Sequence, residues 1–560
     1  MDRQNIILIT LFVLGFFVSM QAVSAAEITI GPTDSIQTAI DTANPQDTII
    51  LNTGTYNESS IQINKELTLK SFTDNPDDVI IDAQQNSRVI EVLSGVNNVK
   101  LQGLTITNGY FDGTWSGNGA GISNRGGTQA QPTQIINCKL TNNNATGEGG
   151  AIYNRGDLAI INCILSNNTA DSNGGGISNR GNLTIADSVI QLCTSPSMGG
   201  GIYNLNTMTI TGCTIQQNQA SGGGGILNDG ELTITDSTIQ QNQGGNGGGI
   251  DNFDTLTITG SVIQQNTAPY GGGILNIGTL NVDTSIIQDN TAPGGGSFGG
   301  GIFNTRGFNE GRVTITNSII QRNIAENAGA IYNSDILNIT GSTIKDNTAT
   351  NGGAIYNDQM QGVYGTVVAN FNRIIGNSPN AIQCDSGSVN AEYNWWGSNN
   401  PNFLALITGD VDYDSWLLMS YSANPTVTPQ GGISTLTADF RYDNNGIFHD
   451  PAVGHLPDGT LVTFTTNLGN VGSKSVVIET INGIATAILR GNEAAGEALT
   501  SASLDNQTLT ATVTITPTVR AASSSTKTIR MQSTGIPLAG IVLSILLVTA
   551  GFIQSKRKVS

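Results

Sequence analysis

The chain of 560 residues has little charge, few histidines and few cysteines. Charged residues make up 12%, whereas ordinary domains contain about a quarter. The two histidines, His449 and His455, lie outside the repeated part of the chain, and neither has a catalytic context in the sequence. The five cysteines show no CxxC spacing and no disulfide framework. We therefore expect no cofactor, no metal site and no catalytic residue of these types.

The few charges that are present are mostly negative. The formal net charge is −19 and the isoelectric point is about 4.3, which argues against nucleic-acid partners. Six Asn-x-Ser/Thr triplets would be glycan acceptors on an exported chain, at Asn57, Asn144, Asn167, Asn182, Asn338 and Asn506.

The dominant feature is a repeat of Gly-Gly-Gly-Ile-x-Asn that returns about every 24 residues. Clear copies begin at Gly199, Gly223, Gly247 and Gly271, and looser copies extend the series to Ile122 and Ile355. A fixed period of this length indicates stacked units that share one continuous core.

Each repeat contains three short apolar segments separated by Gly, Asp or Asn. In residues 223–242, alternation with a period of two directs Ile226, Leu232, Ile234 and Ile239 inward. No segment is long enough for a helix, so we predict three strands per turn, each paired with its counterpart in the next repeat. The predicted fold is all-β: a right-handed parallel β-helix of about 14 turns, followed by a small β-sandwich and one C-terminal transmembrane helix.

The asparagine that closes each repeat falls where a strand turns. Stacked side-chain amides there would satisfy one another and the bend backbone. We predict a structural ladder of Asn154, Asn179, Asn204, Asn228, Asn252, Asn276, Asn304, Asn333 and Asn357.

Both ends of the solenoid are predicted to be capped. Residues 33–44 are expected to form a short helix with Asp34 as its N-cap. Three of the four tryptophans, Trp395, Trp396 and Trp416, concentrate near the other end, where they would cover the last strands. Inside the stack, Cys138, Cys163 and Cys213 take the inward position that serines hold in other repeats. A bridge between Cys138 and Cys163 is left open by their adjacent turns.

The termini predict export and anchoring. Residues 1–26 have the pattern of a signal peptide. Residues 535–554 are apolar over a length that spans a bilayer, and the basic tail 555–560 would stay in the cytoplasm. Residues 27–424 would then form an extracellular β-helix at the cell surface, with residues 518–534 as a Ser/Thr linker.

Residues 425–517 have alternating strands with turn signals, as in a small β-sandwich. Pro457-Asp458-Gly459 and the Asn-Gly-x-Ala-Thr-Ala segment at 482–487 resemble bacterial Ig-like modules of invasin-type surface proteins. The helical entry and the solenoid resemble pectin-lyase-like β-helices, and the Gly-Gly-Gly/Ala-Ile signature resembles polymorphic outer-membrane proteins of bacteria. The order of parts resembles adhesin-like surface proteins of methanogenic archaea, which implies a non-catalytic role in binding glycans or partner cells.

Three functional hypotheses remain open at the level of sequence. An adhesin would bind glycans or cells through repeated faces, and a basic stripe of Arg125, Arg155 and Arg180 could grip an acidic glycan. A polysaccharide lyase or hydrolase of the pectin-lyase-like class would need a base or paired carboxylates. A purely structural envelope spacer would bind nothing. Outward threonine columns, with Thr233 and Thr257 at their centre, offer a further flat surface for ice or crystalline glycan.

Overall fold

The computed structural model describes residues 25–112, 117–307 and 309–518. Residues 27–409 supply the strands of a right-handed parallel β-solenoid of about 15 turns, built from three long parallel sheets of 15, 14 and 13 strands. The predicted all-β solenoid is confirmed. The predicted signal peptide lies almost wholly outside the described residues, as do the membrane helix and the basic tail. Among the described residues, no helix has the length and apolarity needed to cross a membrane.

We name each sheet after the residue type that recurs in it. The Thr sheet consists of Glu27–Ile30, Thr48–Leu51, Thr68–Ser71, Lys100–Gln102, Thr133–Ile136, Asp157–Ile161, Asn182–Ala186, Met208–Thr211, Glu231–Thr235, Thr255–Thr259, Thr279–Asp283, Arg312–Thr316, Ile336–Thr340, Thr366–Asn370 and Ser388–Asn390. The Asn sheet consists of Ile61–Ile63, Ile90–Val92, Ile122–Asn124, Ile152–Asn154, Ile177–Asn179, Ile202–Asn204, Ile226–Asn228, Ile250–Asn252, Ile274–Asn276, Ile302–Asn304, Ile331–Asn333, Ile355–Asn357, Ile382–Cys384 and Ile407–Gly409. The Gln sheet consists of Gly54–Asn57, Val79–Asp82, Thr105–Thr107, Lys139–Thr141, Ile164–Ser166, Val189–Gln191, Thr214–Gln216, Thr238–Gln240, Val262–Gln264, Ile286–Gln288, Ile319–Gln321, Thr343–Lys345 and Arg373–Ile375.

Register is maintained by the apolar column inside the stack. Ile226 pairs with Ile250, Leu232 with Leu256, and Ile239 with Ile263. All six side chains are fully buried. A slip by one residue would move this whole column to the surface, so the inward pattern specifies one register.

The glycines are required at the turn that leads into each Asn-sheet strand. Gly223 has a φ of +60°, a region that L side chains rarely adopt. A Cβ at the next position, Gly224, would lie 2.5 Å from backbone atoms of Gln243. The first glycine therefore permits the turn, and the second permits close stacking of one turn on the next.

The helical cap differs in detail from the prediction. The helix is Ile36–Thr42, and its N-cap is Ser35, whose hydroxyl accepts from the amide of Thr38 at 3.2 Å. The prediction of Asp34 as the N-cap was wrong, because its carboxylate accepts from the amide of Gly31 at 2.8 Å instead. The first-turn amides are satisfied by Glu58, a residue of the first complete turn that sequence spacing alone does not place there.

The inward cysteines lie where the pattern placed them. Cys138, Cys163 and Cys213 are buried in one column with serines, and the amide of Cys213 donates to the hydroxyl of Ser237 at 3.0 Å. All five thiols are free, so the Cys138–Cys163 bridge is not formed.

The remaining strands form small additions and a second domain. Small pairings involve Tyr110–Phe111, Asn144–Ala145 and Thr169–Ala170, and the hairpin of Gln359–Met360 with Val363–Tyr364. A short helix, Phe403–Leu406, precedes the last Asn-sheet strand. The second domain has a three-stranded sheet of Leu417–Asn424, Ile433–Asp443 and Ile484–Arg490, and a five-stranded sheet of Val427–Pro429, Leu461–Thr466, Ser475–Glu479, Gly496–Leu504 and Gln507–Thr516. Leu417–Asn424 thus pairs within the two-sheet domain, upstream of the boundary expected at residue 425.

The two domains share a polar junction. Asp505 accepts from the Nε of Arg373 at 3.0 Å and from the indole N–H of Trp395 at 2.7 Å. Trp395 is fully buried and lies edge-on to Phe440 of the second domain, with ring centroids 5.4 Å apart. The tryptophans therefore divide their roles, because Trp396 packs into the solenoid core while Trp395 packs into that of the second domain.

Candidate functional site

The asparagines that end the Asn-sheet strands form a continuous ladder. Each side-chain amide donates to the oxygen of the next at 2.7–2.9 Å, through Asn124, Asn154, Asn179, Asn204, Asn228, Asn252, Asn276, Asn304, Asn333 and Asn357. All ten are fully buried, and their second N–H groups reach backbone carbonyls in the turns, as Asn228 reaches Gly230 at 2.7 Å. The hydrogen bonds of these buried amides are therefore satisfied within the fold, and the ladder has a structural role.

A second buried ladder was not foreseen. Asn218, Asn242, Asn266 and Asn290 follow the Gln-sheet strands, and each amide donates to the next oxygen at 3.0 Å. Cys193 occupies the same position one turn earlier, where its amide donates to Asn218. The signal in the sequence was the asparagine three residues after each inward isoleucine of the Gln sheet.

Two of the three arginines in the predicted basic stripe face carboxylates, and one of those carboxylates, Glu91, also pairs with Arg88. Arg125, Arg155 and Arg180 do lie at the same turn of three successive repeats. Arg180 makes two hydrogen bonds to Glu148, at 2.9 and 2.7 Å, and Arg125 lies 3.6 Å from Glu91. Burial by itself would raise the pKa of Glu148, but the bonds and charge of Arg180 lower it. Arg155 is exposed and forms no ion pair with any residue that the structure describes.

The outer face of the Asn sheet is covered by a second layer of side chains. The middle residue of each Asn-sheet strand points away from the solenoid core, yet Leu227, Leu275 and Phe303 are at most 5% exposed. The covering residues stand just before the glycines, and single parallel bridges join them in a column: Asn173, Met198, Gly222, Asn246, Tyr270, Phe298, Asn327 and Asn351. The positive-φ glycine turns bring this column back over the sheet.

Aromatic side chains concentrate at one part of this face. Phe298 lies 5.5 Å from Phe303 and 4.7 Å from Tyr332 between ring centroids, and Tyr332 lies 5.3 Å from Tyr356. Tyr270 stacks on Phe298 at 6.1 Å and stays 41% exposed. Beside this cluster is a cleft of about 550 Å³, which we call the aromatic cleft. It is lined by Asp229, Asn246, Phe253, Tyr270, Leu275, Ile277, Phe303, Thr305, Arg306, Gly307, Asn309, Met360 and Gln361.

One buried carboxyl interrupts the apolar layer next to the cleft. Asp251 is 1% exposed and pairs in register with Leu227 on one side and Leu275 on the other. Its Oδ1 has no hydrogen-bond partner among the described residues, and burial raises the pKa of this carboxyl to about 7. The Ser123 hydroxyl and the Asn173 side-chain oxygen, on the same face, are likewise buried without partners.

Charges near the aromatic cleft are mostly acidic or paired. Arg306 is held by Asp335 at 3.0 Å and lies 3.4 Å from Glu310. Toward the C-terminal end, the hydroxyl of Tyr356 donates to Asp385 at 2.6 Å. Among the residues described, no group of three or more His, Cys, Asp or Glu side chains is arranged to hold a metal ion.

The threonine columns are less exposed than the pattern suggested. Thr209, Thr233 and Thr257 align in register, but each is only half-exposed, and Asn281 takes the next place. In the Gln sheet, by contrast, the outward glutamines form their own amide ladder at 2.7–2.8 Å, from Gln191 to Gln321.

Comparison with known proteins gives limited likenesses. The Chlamydia polymorphic membrane protein repeat matches residues 137–155, 162–180 and 341–358. No curated protein matches the chain. Similar solved structures include a mannuronic acid specific polysaccharide family 6 lyase from human gut microbiota, 13% identical, with a TM-score of 0.32, over 66% of this chain and 87% of that one. Pectate lyase Pel9A is 12% identical, with a TM-score of 0.25, over 70% of this chain and 78% of that one.

Proposed function

We propose that this protein is a non-catalytic, adhesin-like surface protein that binds glycans through the outer face of its Asn sheet. The observation that carries the proposal is the aromatic cleft, in which partly exposed rings meet neutral polar side chains. Binding sites for small molecules are typically clefts of about 300–1,000 Å³ lined by apolar and aromatic groups with few polar ones. The matched repeat is described as that of a polymorphic membrane protein, which supports a location at a membrane.

The rest of the architecture enters the same proposal. We infer that residues 1–26 direct export, that residues 535–554 anchor the chain in the cytoplasmic membrane, and that the bulk is extracellular. The two-sheet domain would be a bacterial Ig-like spacer, and its contacts through Asp505 would hold it in one orientation on the solenoid. Many copies on one cell would turn modest affinity for each cleft into strong attachment.

A lyase function has less support from the described residues. Lyases that act on uronates need a basic group free to take a proton beside the carboxylate. Arg125 and Arg180 of the predicted stripe already face Glu91 and Glu148. Arg155 is the stripe residue left for such a role, and its side chain is exposed.

The test is a panel of polysaccharides and cell envelopes on which retention of the protein and release of products are read together. The proposal predicts retention with no new reducing ends and no unsaturated uronates. Release of products by the parent protein, lost in Arg155→Ala, would contradict the proposal and favour an enzymatic function. No retention on any surface would favour a structural spacer.

A further inference from the structure

We propose that the aromatic cleft binds an uncharged sugar chain, and that it discriminates against uronate-containing glycans. The inference rests on the proposed function, since it names the ligand class of that same face. It separates this protein from carbohydrate-active β-helices that act on acidic polymers.

The walls of the cleft suit the faces of sugar rings. Tyr270 is 41% exposed, and Phe253 and Ile277 are half-exposed, so each presents apolar surface without needing to move. Behind them, Phe303 and Leu275 are buried and hold the walls in place. Sugar rings carry apolar C–H faces, which pack on aromatic rings and gain from the large area buried.

Several polar side chains on the lining of the cleft are uncharged and can both donate and accept hydrogen bonds. Asn246, Asn309 and Gln361 contribute amides, and Thr305 contributes a hydroxyl. An amide offers two N–H donors and an accepting oxygen, which matches the alternating roles of sugar hydroxyl groups. Asn246 is exposed, so its side chain is free to turn toward a ligand.

The charges at the cleft oppose an anionic ligand. Asp229 is an exposed carboxylate on the lining. The cation that the described lining carries, Arg306, faces Asp335 and Glu310, and Glu310 also pairs with Arg312 at 3.1 Å. These four groups balance one another, so the unpaired charge on the lining is the carboxylate of Asp229. The whole chain adds a formal charge of −19. A carboxylate placed in the cleft would therefore meet repulsion that a neutral sugar avoids, most strongly at low salt.

The experiment measures retention of the full-length protein on immobilised neutral polysaccharides and on uronate polymers, each at low and high salt. We expect retention on at least one neutral polymer, with little dependence on salt. Tyr270→Ala and Phe253→Ala should each weaken it by about tenfold, as expected for losing one aromatic contact. Tyr270→Phe should restore it, and Phe72→Ala, which removes an exposed ring elsewhere, should leave it unchanged.

Each contrary result has a distinct meaning. Retention on uronate polymers alone, or retention that ignores Tyr270→Ala and Phe253→Ala, would overturn this inference and leave glycan binding by another face. A cleft occupied by a second copy of the chain would show as self-association lost in Tyr270→Ala, and would also overturn it. Failure to bind any glycan would overturn the proposed function itself. Unchanged thermal unfolding of the variants would establish that they are folded.

Discussion

Replacement of Asp251 should stabilise the solenoid, and more so as the pH rises. The carboxyl lies between two leucines in register, without a hydrogen bond to its Oδ1, and burial raises its pKa to about 7 from an ordinary value of 3.8. Below pH 3.8 the carboxyl is protonated in both the folded and the unfolded chain, so it then imposes no penalty of ionisation. As the pH rises from 3.8 to the folded pKa, the folded state loses stability relative to the unfolded state, and above the folded pKa the loss is complete.

The size of the effect follows from the difference between the two pKa values. A shift of about three pH units corresponds to about 4 kcal/mol, reached above pH 7. At pH 5 the same carboxyl lowers the free energy of unfolding by about 2 kcal/mol, because it is already ionised in the unfolded chain but not in the folded one. The titratable residues on the strands and turns around Asp251 are Asp229, Asp254, Tyr203 and Tyr270. None of them contributes to the raised pKa of Asp251, which is due to burial.

The assay is amide hydrogen exchange of residues 243–278, with parent and variant compared at the same pH. Solenoid turns interact mainly with their neighbours, so the effect should be greatest in these turns. Asp251→Leu should increase protection at pH 8 by up to about three orders of magnitude, and by clearly less at pH 5. The exposed Asp254→Asn is the matched control and should leave the pH dependence intact. Equal pH dependence in the parent and in Asp251→Leu would show that the Asp251 carboxyl does not destabilise the solenoid.

Three further substitutions test the fold by thermal or chemical unfolding. Gly248→Ala should lower the free energy of unfolding by about 1–3 kcal/mol, because its Cβ would lie 2.4–2.7 Å from backbone atoms of the next turn. Gly295→Ala is the control and should be neutral, because its Cβ has free space. Equal effects of the two substitutions would contradict close stacking as the reason for the glycine. Asn252→Ala should cost about 1–3 kcal/mol by leaving ladder amides unpaired in the core, and a neutral result would show that the ladder is dispensable. Asp505→Ala should make the chain around Trp395 more sensitive to limited proteolysis, because it removes the carboxylate to which Arg373 and Trp395 both donate. An unchanged cleavage pattern would mean that apolar contacts alone hold the junction between the two domains.

Much of the fold was predictable because the repeat carries one simple signal many times over. Inward residues Leu232, Ile234 and Ile239 alternate with polar residues, and each has an apolar counterpart one repeat later. Repetition averages out the weakness of any single strand signal. The end of the solenoid was harder, because Leu417–Asn424 alternates like its neighbours and only its pairing partner assigns it to the second domain.

The candidate site was not predictable, because it lies in a layer that strand alternation cannot detect. Alternation places Leu227 and Leu275 outward, and an outward residue reads as exposed. They are buried because the glycine turns fold another part of the chain over them. The pairing of Arg180 with Glu148 was hidden for a similar reason, since Glu148 is distant in sequence and meets Arg180 only through the turn of the solenoid.

The most direct measurement is a hydrogen-exchange footprint of the full-length protein saturated with the polysaccharide that retains it best, with polymer length followed in the same sample. We expect added protection in residues 246–277 and 303–307, around the aromatic cleft, and a polymer of unchanged length. Protection confined to the Thr or Gln sheet, or a polymer that becomes shorter, would contradict a non-catalytic binding function of the Asn-sheet face.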